Sequence, residues 1–522
     1  MNTTEHDDTS RSGDDQYVAA RRQNLETLRD MGVEPYPYRF EPTHAVSGVL
    51  EQWDDLAPQD DASEESTQIS LAGRLLGIRS HGKTIFADLL DTTGRIQLFI
   101  NKKVVGDAPF EIAGCLDLGD WIGVTGSLMV TKMGEKTVRV TGLNLLSKSL
   151  RPIPTPKTAV DPETGEEKTY DAFTDREARY RQRYVDLFVN PEVRDVFRTR
   201  ARLISTVRDY LDDRGYLEVE TPVLQMLHGG ASARPFKTLH NTLDMEMYLR
   251  IALELYHKRL IVGGLDRVYE IGRIFRNEGL DRRHNPEFTM LELYQAYADY
   301  NDIMVLVEEM FAAWCETVLG GKTTVTWDGH EIDIAPPFPR KPFLGLIEEE
   351  SGIDTTALDD GELETALQGA GVETEGKVGR GALLDEAFGH FVEPNLIQPV
   401  FVTDHPVELS PLAKRHRDVP GLTERFELII AGMEFANAFS ELNDPDDQRE
   451  RFMAQLKLLE LGDVEAQRLD EDFISALEYG MPPTGGLGVG MDRVAMLFTD
   501  QRSIRDVILF PTLRPEEGRN QE

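Results

Sequence analysis

Short runs of alternating apolar and polar residues fill the chain between positions 67 and 150. Such alternation is typical of half-buried strands, and Gly94, Gly126 and Gly134 interrupt the runs. The five strand candidates are ISLAGRLLGIR, TIFADLLD, GRIQLFINKK, DWIGVTGSLMVT and TVRVTGLNLL. Five short strands at this spacing predict a small Greek-key barrel of the OB type over residues 67–150.

The segments on either side of the barrel show no such alternation. YVAARRQNLETLRDM has helical spacing and predicts an amphipathic helix ending at Gly32, within a helical segment over 17–66. The acidic residues 1–16 predict a disordered tail. After the barrel, RPIPTPK places three prolines in seven residues, which favours a linker over 151–190.

Residues 191–522 predict a larger α+β domain. Apolar residues recur near helical spacing from Val196 to Leu211 and predict a long helix, which YLEVETP follows as a strand. Later β-rich stretches do not alternate regularly with helices, so we expect a mostly antiparallel sheet flanked by helices rather than a doubly wound parallel one. Residues 310–390 mix helical and loop signals with acidic clusters and predict a peripheral insertion.

Charge is distributed unevenly along this sequence. The chain holds 92 acidic and 56 basic residues, a formal net charge of −36, which repels nucleic acid from the surface as a whole. Residues 1–66 hold 16 acidic and 5 basic side chains, whereas residues 67–148 hold 7 acidic and 10 basic ones. A nucleic-acid site, if the chain has one, should therefore be sought where the local charge is positive, and the overall acidity indicates solubility or a salty cytoplasm.

Composition also limits the class of protein. No apolar run approaches the ~18 residues of a membrane span, and no apolar segment near the start marks a secretory signal. The two cysteines, Cys115 and Cys315, lie 200 residues apart, which excludes a disulfide framework and a cysteine zinc site. We expect a soluble, multidomain, cytoplasmic protein.

The stretch GRIFRNEGLDRRHNPEFTMLELY, residues 272–294, predicts a hairpin that carries chemistry. Arg276 and Glu278 would share a face on the first strand, and alternate residues from Phe288 to Tyr294 share a face on the second. A guanidinium can bind phosphate oxygens, a ring can stack on a base and a carboxylate can accept from an amino group. The hairpin therefore suits a nucleoside triphosphate, the alternative being a surface hairpin with salt bridges.

A second stretch, FELIIAGMEFANAFSELND, places carboxylates in an apolar run. Burying Glu427 and Glu434 is costly unless a cation neutralises them, and Mg²⁺ held by carboxylates and substrate phosphates is the economical explanation. Two structural ion pairs are the alternative. Alternate residues from Asn437 to Glu441 share one strand face, and Glu434 has the opposite parity. A bulge or turn near Phe435 must therefore re-aim Glu434 if all of them serve one pocket.

The third stretch is GGLGVGMDRVAMLF, residues 485–498. Its G-x-G-x-G spacing is a weak match to a dinucleotide-binding loop, because no βαβ unit with a ribose-binding acid follows. A glycine-rich strand entering a helix could instead place Arg493, in the first turn, beside a phosphate. Close backbone packing is the alternative.

Together these stretches resemble the signature motifs of class II aminoacyl-tRNA synthetases. The helix and strand ending at Pro222 resemble motif 1, RIFRNEG with RHNPEF resembles motif 2, and GLGVGMDR resembles motif 3. The longer stretches that resemble bacterial-type lysyl-tRNA synthetases are GGASARPFKT, YLRIALELYHKRLIVGG, RNEGLDRRHNPEFTMLELYQAYADY, LAKRHRDVPGLTERFELIIAGMEFANAFSELNDP and RDVILFPTLRP. The resemblance runs from about Tyr17 to Pro515, except for the insertion, and implies an OB-fold barrel followed by a class II catalytic domain.

The resemblance also implies a role for each matching residue. The implied catalytic residues are Arg276 and Arg493. The implied ATP-binding residues are Arg276, Glu278, His284, Asn285, Phe288, Glu427, Glu434 and Arg493, with adenine between Phe288 and Arg493 and with Mg²⁺ on Glu427 and Glu434. The implied lysine-binding residues are Gly230, Glu254, Glu292, Tyr294, Asn437, Phe439 and Glu441. The implied anticodon-binding residues are Arg79, Phe86 and Gln97.

The implied reaction has two steps. The lysine carboxylate attacks the α-phosphate of ATP to give lysyl-adenylate and pyrophosphate, and the lysyl group then passes to the 3′ end of tRNA(Lys) with release of AMP. A buried carboxylate such as Glu441 is what a desolvated ammonium group demands. The resemblance implies ATP, L-lysine, tRNA(Lys) and a second copy in a homodimer as partners, with no membrane and no DNA.

Three other functions compete with this one. An aspartyl- or asparaginyl-tRNA synthetase shares the barrel and the motifs, but its pocket calls for a basic residue rather than Glu441 and Glu292. A truncated lysyl-transferase that modifies a translation factor lacks the barrel. A catalytically inactive RNA-binding regulator on the same fold has no need of Arg276, Glu427, Glu434 and Arg493.

Overall fold

The protein consists of two compact units. The described ranges of the computed structural model are 5–57, 67–154, 157–160, 167–170, 173–460 and 468–515, with backbone alone for 5–14, 157–160, 167–170 and 460. The units are Met1–Thr174 (unit 1) and Asp175–Glu522 (unit 2). Within these described ranges, no helix combines the length and apolarity needed to cross a membrane.

Unit 1 is built on a closed barrel of five strands, which confirms the prediction from alternation. The strands are β1 (Ile69–His81), β2 (Thr84–Leu90), β3 (Arg95–Asn101), β4 (Trp121–Val130) and β5 (Lys136–Ser147), and the hairpin β6 (Lys157–Val160) and β7 (Glu167–Tyr170) follows. The helices are α1 (Glu5–Asp30), α2 (Val46–Glu51), α3 (Trp53–Leu56), α4 (Lys102–Val105) and α5 (Asp107–Gly114). The barrel order is β1-β2-β3-β5-β4, and alternate residues such as Ile85, Ala87 and Leu89 fill its interior.

Helix α1 begins earlier than the sequence predicted. Its backbone is helical from Glu5, so residues 5–16 are helix where a disordered tail was expected. Once a helix has nucleated, each further residue adds a hydrogen bond, which lets it extend into polar sequence. Its end is as predicted, because Gly32 has φ of +77°, a left-handed conformation that glycine adopts without strain. Residues 1–4 of the predicted tail lie outside the described residues.

Unit 2 contains the remaining helices and strands. Its helices are α6 (Arg176–Arg181), α7 (Arg183–Val189), α8 (Pro191–Asp212), α9 (Glu254–Val262), α10 (Tyr300–Leu319), α11 (Phe343–Ser351), α12 (Asp360–Gly369), α13 (Gly379–Phe391), α14 (Pro445–Glu460), α15 (Glu471–Glu478) and α16 (Met491–Phe498). Its strands are β8 (Leu217–Glu218), β9 (Leu224–Gln225), β10 (Lys237–His240), β11 (Met245–Leu249), β12 (Arg267–Phe275), β13 (Glu287–Ala296), β14 (Thr324–Trp327), β15 (His330–Asp333), β16 (Arg340–Pro342), β17 (Val400–Thr403), β18 (Arg425–Ile430), β19 (Met433–Ser440) and β20 (Thr484–Gly490).

An eight-stranded sheet forms the centre of unit 2. Its order is β16-β17-β18-β19-β20-β13-β12-β8, and only the two outermost pairs are parallel. The predicted mostly antiparallel sheet flanked by helices is therefore confirmed. Strand β20, the last in the chain, lies between β19 and β13 and joins the two halves of the sheet.

The start of unit 2 lies within the predicted linker. Arg183 is 1% exposed; its guanidinium pairs with Asp186 at 2.6 Å and donates to the Arg505 carbonyl at 2.8 Å. The Tyr180 hydroxyl donates to Asp506 at 2.9 Å. These buried contacts attach α6 and α7 to the far end of the chain, so the predicted linker over 151–190 extends too far.

The predicted insertion over 310–390 also needs a new boundary. Phe311 and Trp314 on α10 are buried in the main core with residues of the central sheet, because the apolar face of this helix packs there. A separate apolar cluster begins at Phe343, where α11, α12 and α13 pack with β17. The peripheral part therefore starts after residue 340 rather than at 310.

Candidate active site

One cavity of unit 2 collects every residue that the sequence assigned to substrate binding or catalysis. It has a volume of about 590 Å³ and is open on one side. The predicted residues that line it are Gly230, Glu254, Arg276, Glu278, His284, Asn285, Phe288, Glu292, Tyr294, Glu427, Glu434, Asn437, Phe439, Glu441 and Arg493. Positions more than 260 residues apart in sequence thus line a single cavity. The three predicted anticodon residues lie in unit 1.

Strand β13 forms one wall of the cavity in the way the alternation predicted. Phe288, Met290, Glu292 and Tyr294 line the cavity. Leu291 and Leu293, of opposite parity, are fully buried in the core that includes α8, α10 and α16. One face of β13 therefore serves the cavity and the other face the core.

Strands β18 and β19 form the adjacent wall, and a bulge sets their register. Leu428 pairs with Ala436, but the next residue, Ile429, pairs with Glu434, which leaves Phe435 as the extra residue on β19. This bulge is the one that the parity of Glu434 required. Glu434 consequently lines the same cavity as Asn437, although the two differ in parity.

Arg276 lies on a loop, where the sequence predicted a strand. Strand β12 ends at Phe275, so Arg276 and Glu278 begin the loop, and the Arg276 backbone N–H donates to the Pro286 carbonyl at 2.9 Å. The Arg276 guanidinium lies 5.2 Å from the centre of the Phe288 ring, and its Nε has no hydrogen-bond partner in the described part of the chain. A cation held over an aromatic face with an unused donor is suited to an anion in the cavity.

The loop after Arg276 adds further polar groups. The His284 ring nitrogen lies 2.8 Å from an Asp281 oxygen, which orients the imidazole. The Asn285 amide donates to the Glu287 carbonyl at 2.7 Å, and its buried carbonyl oxygen has no partner among the described residues. An unpaired amide oxygen can accept from an exocyclic amino group of a base.

Arg493 lies in the first turn of α16, as predicted. Its guanidinium donates to the Glu434 carbonyl and lies 3.7 Å from the Glu434 carboxylate. The neighbouring Asp492 was missed by sequence reasoning; it pairs with Arg200 at 2.7 Å and accepts from the Thr289 backbone at 2.6 Å. Asp492 thereby fixes α16, and Arg493 with it, against β13.

Three buried carboxylates lie at the opposite end of the cavity. Glu254, Glu292 and Glu441 are at most 5% exposed, and the Glu292 carboxylate accepts from the Leu253 backbone at 3.0 Å and from the Tyr294 hydroxyl at 3.3 Å. Burial raises the pKa of Glu292 to about 7 and that of Glu441 well above its usual range. Such a concentration of carboxylates favours a ligand that brings positive charge.

A buried lysine, which the sequence alone did not indicate, contacts two of these carboxylates. The Lys258 ammonium forms ion pairs with Glu254 and with Glu441. The signal in the sequence was the i, i+4 spacing of Glu254 and Lys258, which brings the two side chains together on a helix.

Arg425 plays a comparable part at the wall formed by β18. Its guanidinium pairs with Glu427 at 2.5 Å and donates to the Asn437 side chain at 3.2 Å. Burial raises the pKa of Glu427 to about 7, against the opposing effect of Arg425. The i, i+2 spacing of Arg425 and Glu427 on one strand was the available signal.

The barrel residues predicted to bind an anticodon lie on one outer surface of unit 1. Arg79 pairs with Phe86 across β1 and β2, and the Phe86 ring lies 5.0 Å from that of Phe99 on β3. The Gln97 side chain accepts from the Thr137 hydroxyl at 2.9 Å. The structure adds the Phe99 ring to this surface, and the sequence alone did not indicate this residue.

The family to which the chain belongs follows from comparison with known proteins. Residues 175–514 match the model for tRNA synthetases class II (D, K and N), and residues 69–146 match the OB-fold nucleic acid binding domain. The chain is 52% identical to the lysine–tRNA ligase of Moorella thermoacetica over 96% of its own length and 98% of that protein. It is 51% identical to the same ligase of Pelotomaculum thermopropionicum over 96% and 95% of the two chains, and 52% identical to that of Roseiflexus castenholzii over 95% and 98%. The chain is therefore a member of the class II tRNA synthetases of the D, K and N group, and it shares about half of its residues with lysine–tRNA ligases.

Proposed function

We propose that this protein is a lysine–tRNA ligase, which activates L-lysine with ATP and transfers the lysyl group to the 3′ end of tRNA(Lys). The observation that carries the proposal is the group of three buried carboxylates, Glu254, Glu292 and Glu441, at one end of the class II cavity. An aspartate or asparagine side chain offers no cation to such a pocket, whereas lysine offers an ammonium group.

The cavity is suited to adenylate formation by positioning and charge neutralisation. With the lysine ammonium group at the carboxylate end, the lysine carboxylate extends toward Arg276, whose Nε has no partner in the described structure. Attack on the α-phosphate breaks its bond to the β-phosphate, releases pyrophosphate and places the developing charge beside Arg276, while Arg493 and Phe288 offer the two faces between which the adenine stacks. The group that attacks belongs to the substrate, so the step needs no nucleophile from the protein.

Mg²⁺ fits the cavity wall formed by β18 and β19. Glu427 and Glu434 both line the cavity there, and the pKa of Glu427, raised to about 7 by burial, indicates a carboxylate in need of further positive charge. Mg²⁺ is commonly held by one or two carboxylates together with substrate phosphates. When bound, the ion would neutralise phosphate charge.

Lysine-dependent exchange of pyrophosphate into ATP tests this proposal directly. The wild-type protein should support exchange with lysine, and not with aspartate or asparagine at the same concentration. Exchange that depends on aspartate or asparagine instead of lysine would show that the protein is an aspartate– or asparagine–tRNA ligase. Binding of tRNA(Lys) without any amino-acid-dependent exchange would favour an inactive RNA-binding regulator.

We also propose that the outer surface of the barrel binds the anticodon of tRNA(Lys). Replacing Phe86 with alanine removes a stacking surface worth ~1 to 3 kcal/mol per base, so tRNA affinity should fall about 10- to 100-fold. Filter binding or calorimetry measures the affinity, which should also weaken with added salt as phosphate counterions are released. Lysine-dependent exchange should be unchanged, because no barrel residue lines the cavity.

Trp121 provides a matched control for this variant. It lies on β4, which is not paired with β2 or β3, is 37% exposed, and packs its ring against the Arg74 guanidinium at 4.9 Å. Trp121→Ala should leave tRNA affinity unchanged. Equal losses in the two variants, or normal charging by Phe86→Ala, would show that the anticodon is bound elsewhere.

We further propose that the protein is a cytoplasmic homodimer. Several large apolar side chains near the edge strand β8 are exposed, and a monomer would leave them in water. They are Leu217, Val223, Leu224, Met226, Leu265 and Tyr297. Light scattering at micromolar concentration should give twice the chain mass of 58.9 kDa. A mass of one chain across the concentration range would contradict the dimer.

A further inference from the structure

Lys258 is fully buried and joins three elements at the carboxylate end of the cavity. It lies on α9, and its ammonium pairs with Glu254 on the same helix and with Glu441 directly after β19. The same nitrogen lies 3.5 Å from the Leu412 carbonyl, in the loop before β18. One cation thus contacts α9, the end of β19 and the loop.

Lys258 contacts the two carboxylates from the side that faces away from the cavity. Glu254 and Glu441 line the cavity, as do Leu412 and Phe439, but Lys258 does not. Its ammonium lies 5.5 Å from the centre of the Phe439 ring and 6.0 Å from that of Phe473, so aromatic faces close off its other sides. A ligand in the cavity meets the carboxylates and not the lysine that holds them.

One oxygen of Glu441 remains for a ligand. Lys258 pairs with Oε2, whereas Oε1 has no hydrogen-bond partner in the described part of the chain. The lysine substrate brings two ammonium groups, at its α and ε positions. Together with Lys258 they make three cations, which match the three carboxylates Glu254, Glu292 and Glu441.

We propose that Lys258 is a positioning residue of the lysine pocket, whose ammonium holds Glu254 and Glu441 in place as acceptors for the ammonium groups of the substrate. This inference rests on the proposed function, since it needs lysine in the cavity. An opposite charge in contact with a carboxyl group also favours its ionised form. Lys258 therefore extends lysine binding to lower pH than the carboxylates alone would allow.

The charges around Glu441 support this direction. Burial is the largest influence and raises its pKa, Lys258 lowers it, and Glu254 and Glu292 raise it further. Without Lys258, the main influences that remain on the Glu441 carboxyl are burial, Glu254 and Glu292, and all three raise its pKa. The titratable and charged groups that face this region are Glu254, His257 and Lys258 on α9, Glu292 and Tyr294 on β13, Arg276 directly after β12, and Arg425 on β18.

The test is Lys258→Gln, which keeps a hydrogen-bond donor and removes the charge. At neutral pH the lysine KM in pyrophosphate exchange should rise about 10- to 100-fold, while the ATP KM stays unchanged. The pH below which lysine affinity is lost should move upward by about 1 to 3 units, the range expected for loss of a neighbouring opposite charge. A role in packing alone would not move that pH, so a fixed pH, or equal loss for lysine and ATP, overturns the proposal.

Two further variants separate the effect of the Lys258 charge from an effect on packing or folding. Lys258→Arg retains the charge, so its loss of lysine affinity should occur at the wild-type pH even if kcat falls; a moved pH overturns the proposal. If Lys258→Gln does not fold, Lys258→Met takes its place with the same expectations. A wild-type protein without lysine-dependent exchange would refute the proposed function instead of this inference.

Lys148 is a matched control in unit 1. It is also buried and also pairs with two carboxylates, those of Asp117 and Asp120. Lys148→Gln should lower the thermal stability and leave the lysine KM and its pH dependence as in the wild type. A similar shift in pH dependence in both lysine variants would trace the effect to general loss of structure and overturn the proposal.

Discussion

Replacing Glu441 with glutamine raises the lysine KM by at least about 100-fold and leaves the ATP KM nearly unchanged. Glu441 is 1% exposed, and its free Oε1 faces the end of the cavity where the substrate ammonium group is expected. Losing one partner of a buried ion pair costs about 3 to 5 kcal/mol, which corresponds to roughly two to four decades in affinity. Steady-state pyrophosphate exchange measures both constants.

A surface pair supplies the control for this variant. Glu349 accepts from Lys341 at 3.2 Å, and its side chain is 59% exposed. Glu349→Gln should change neither constant, because exposed ion pairs contribute little. Parallel increases in the KM for lysine and for ATP in Glu441→Gln would show that Glu441 does not contact lysine.

Adding one methyl group at Gly486 should damage the same pocket. A Cβ at this position of β20 would overlap Oε1 of Glu441 and lie 2.6 Å from Cε1 of the Tyr294 ring. The ring is buried and cannot retreat, so the carboxylate must turn away from its place. Gly486→Ala should therefore raise the lysine KM about 10- to 100-fold without a comparable effect on ATP.

Gly488 lies two residues further along the same strand and serves as the control. A Cβ there would meet its nearest neighbours, Glu292 and Met290, at 3.8 Å, an ordinary contact distance. Gly488→Ala should leave the lysine KM within a few-fold of the wild type. If both alanine variants lose lysine affinity equally, the effect comes from the backbone of β20 rather than from Glu441.

The parts that followed from sequence were those with a local periodic signal. Alternation alone gave the five barrel strands and the cavity-facing side of β13. Parity gave the bulge at Phe435, because Glu434 cannot share a wall with Asn437 without an extra residue between them. In each case the information lies within a few residues of chain.

The parts that were missed depend on contacts between distant positions. Lys258 and Leu412 are 154 positions apart, and Arg183 and Arg505 are 322 positions apart. Because of these separations, no local sequence pattern predicts either contact. The placement of Arg276 was wrong for a related reason. Strand β12 ends at Phe275, because pairing with β13 stops there, and pairing is a property of two segments.

The position of β20 in the central sheet has a consequence for synthesis on the ribosome. Strands β13 and β19 are made well before β20, yet they meet only through it. Until residue 490 has emerged from the ribosome, the walls that carry Glu292 and Glu441 belong to two separate half-sheets, and Arg493 is still inside the ribosome. Nascent chains therefore cannot sequester lysine or ATP while they are still being translated, and the pocket forms in one of the last steps of folding.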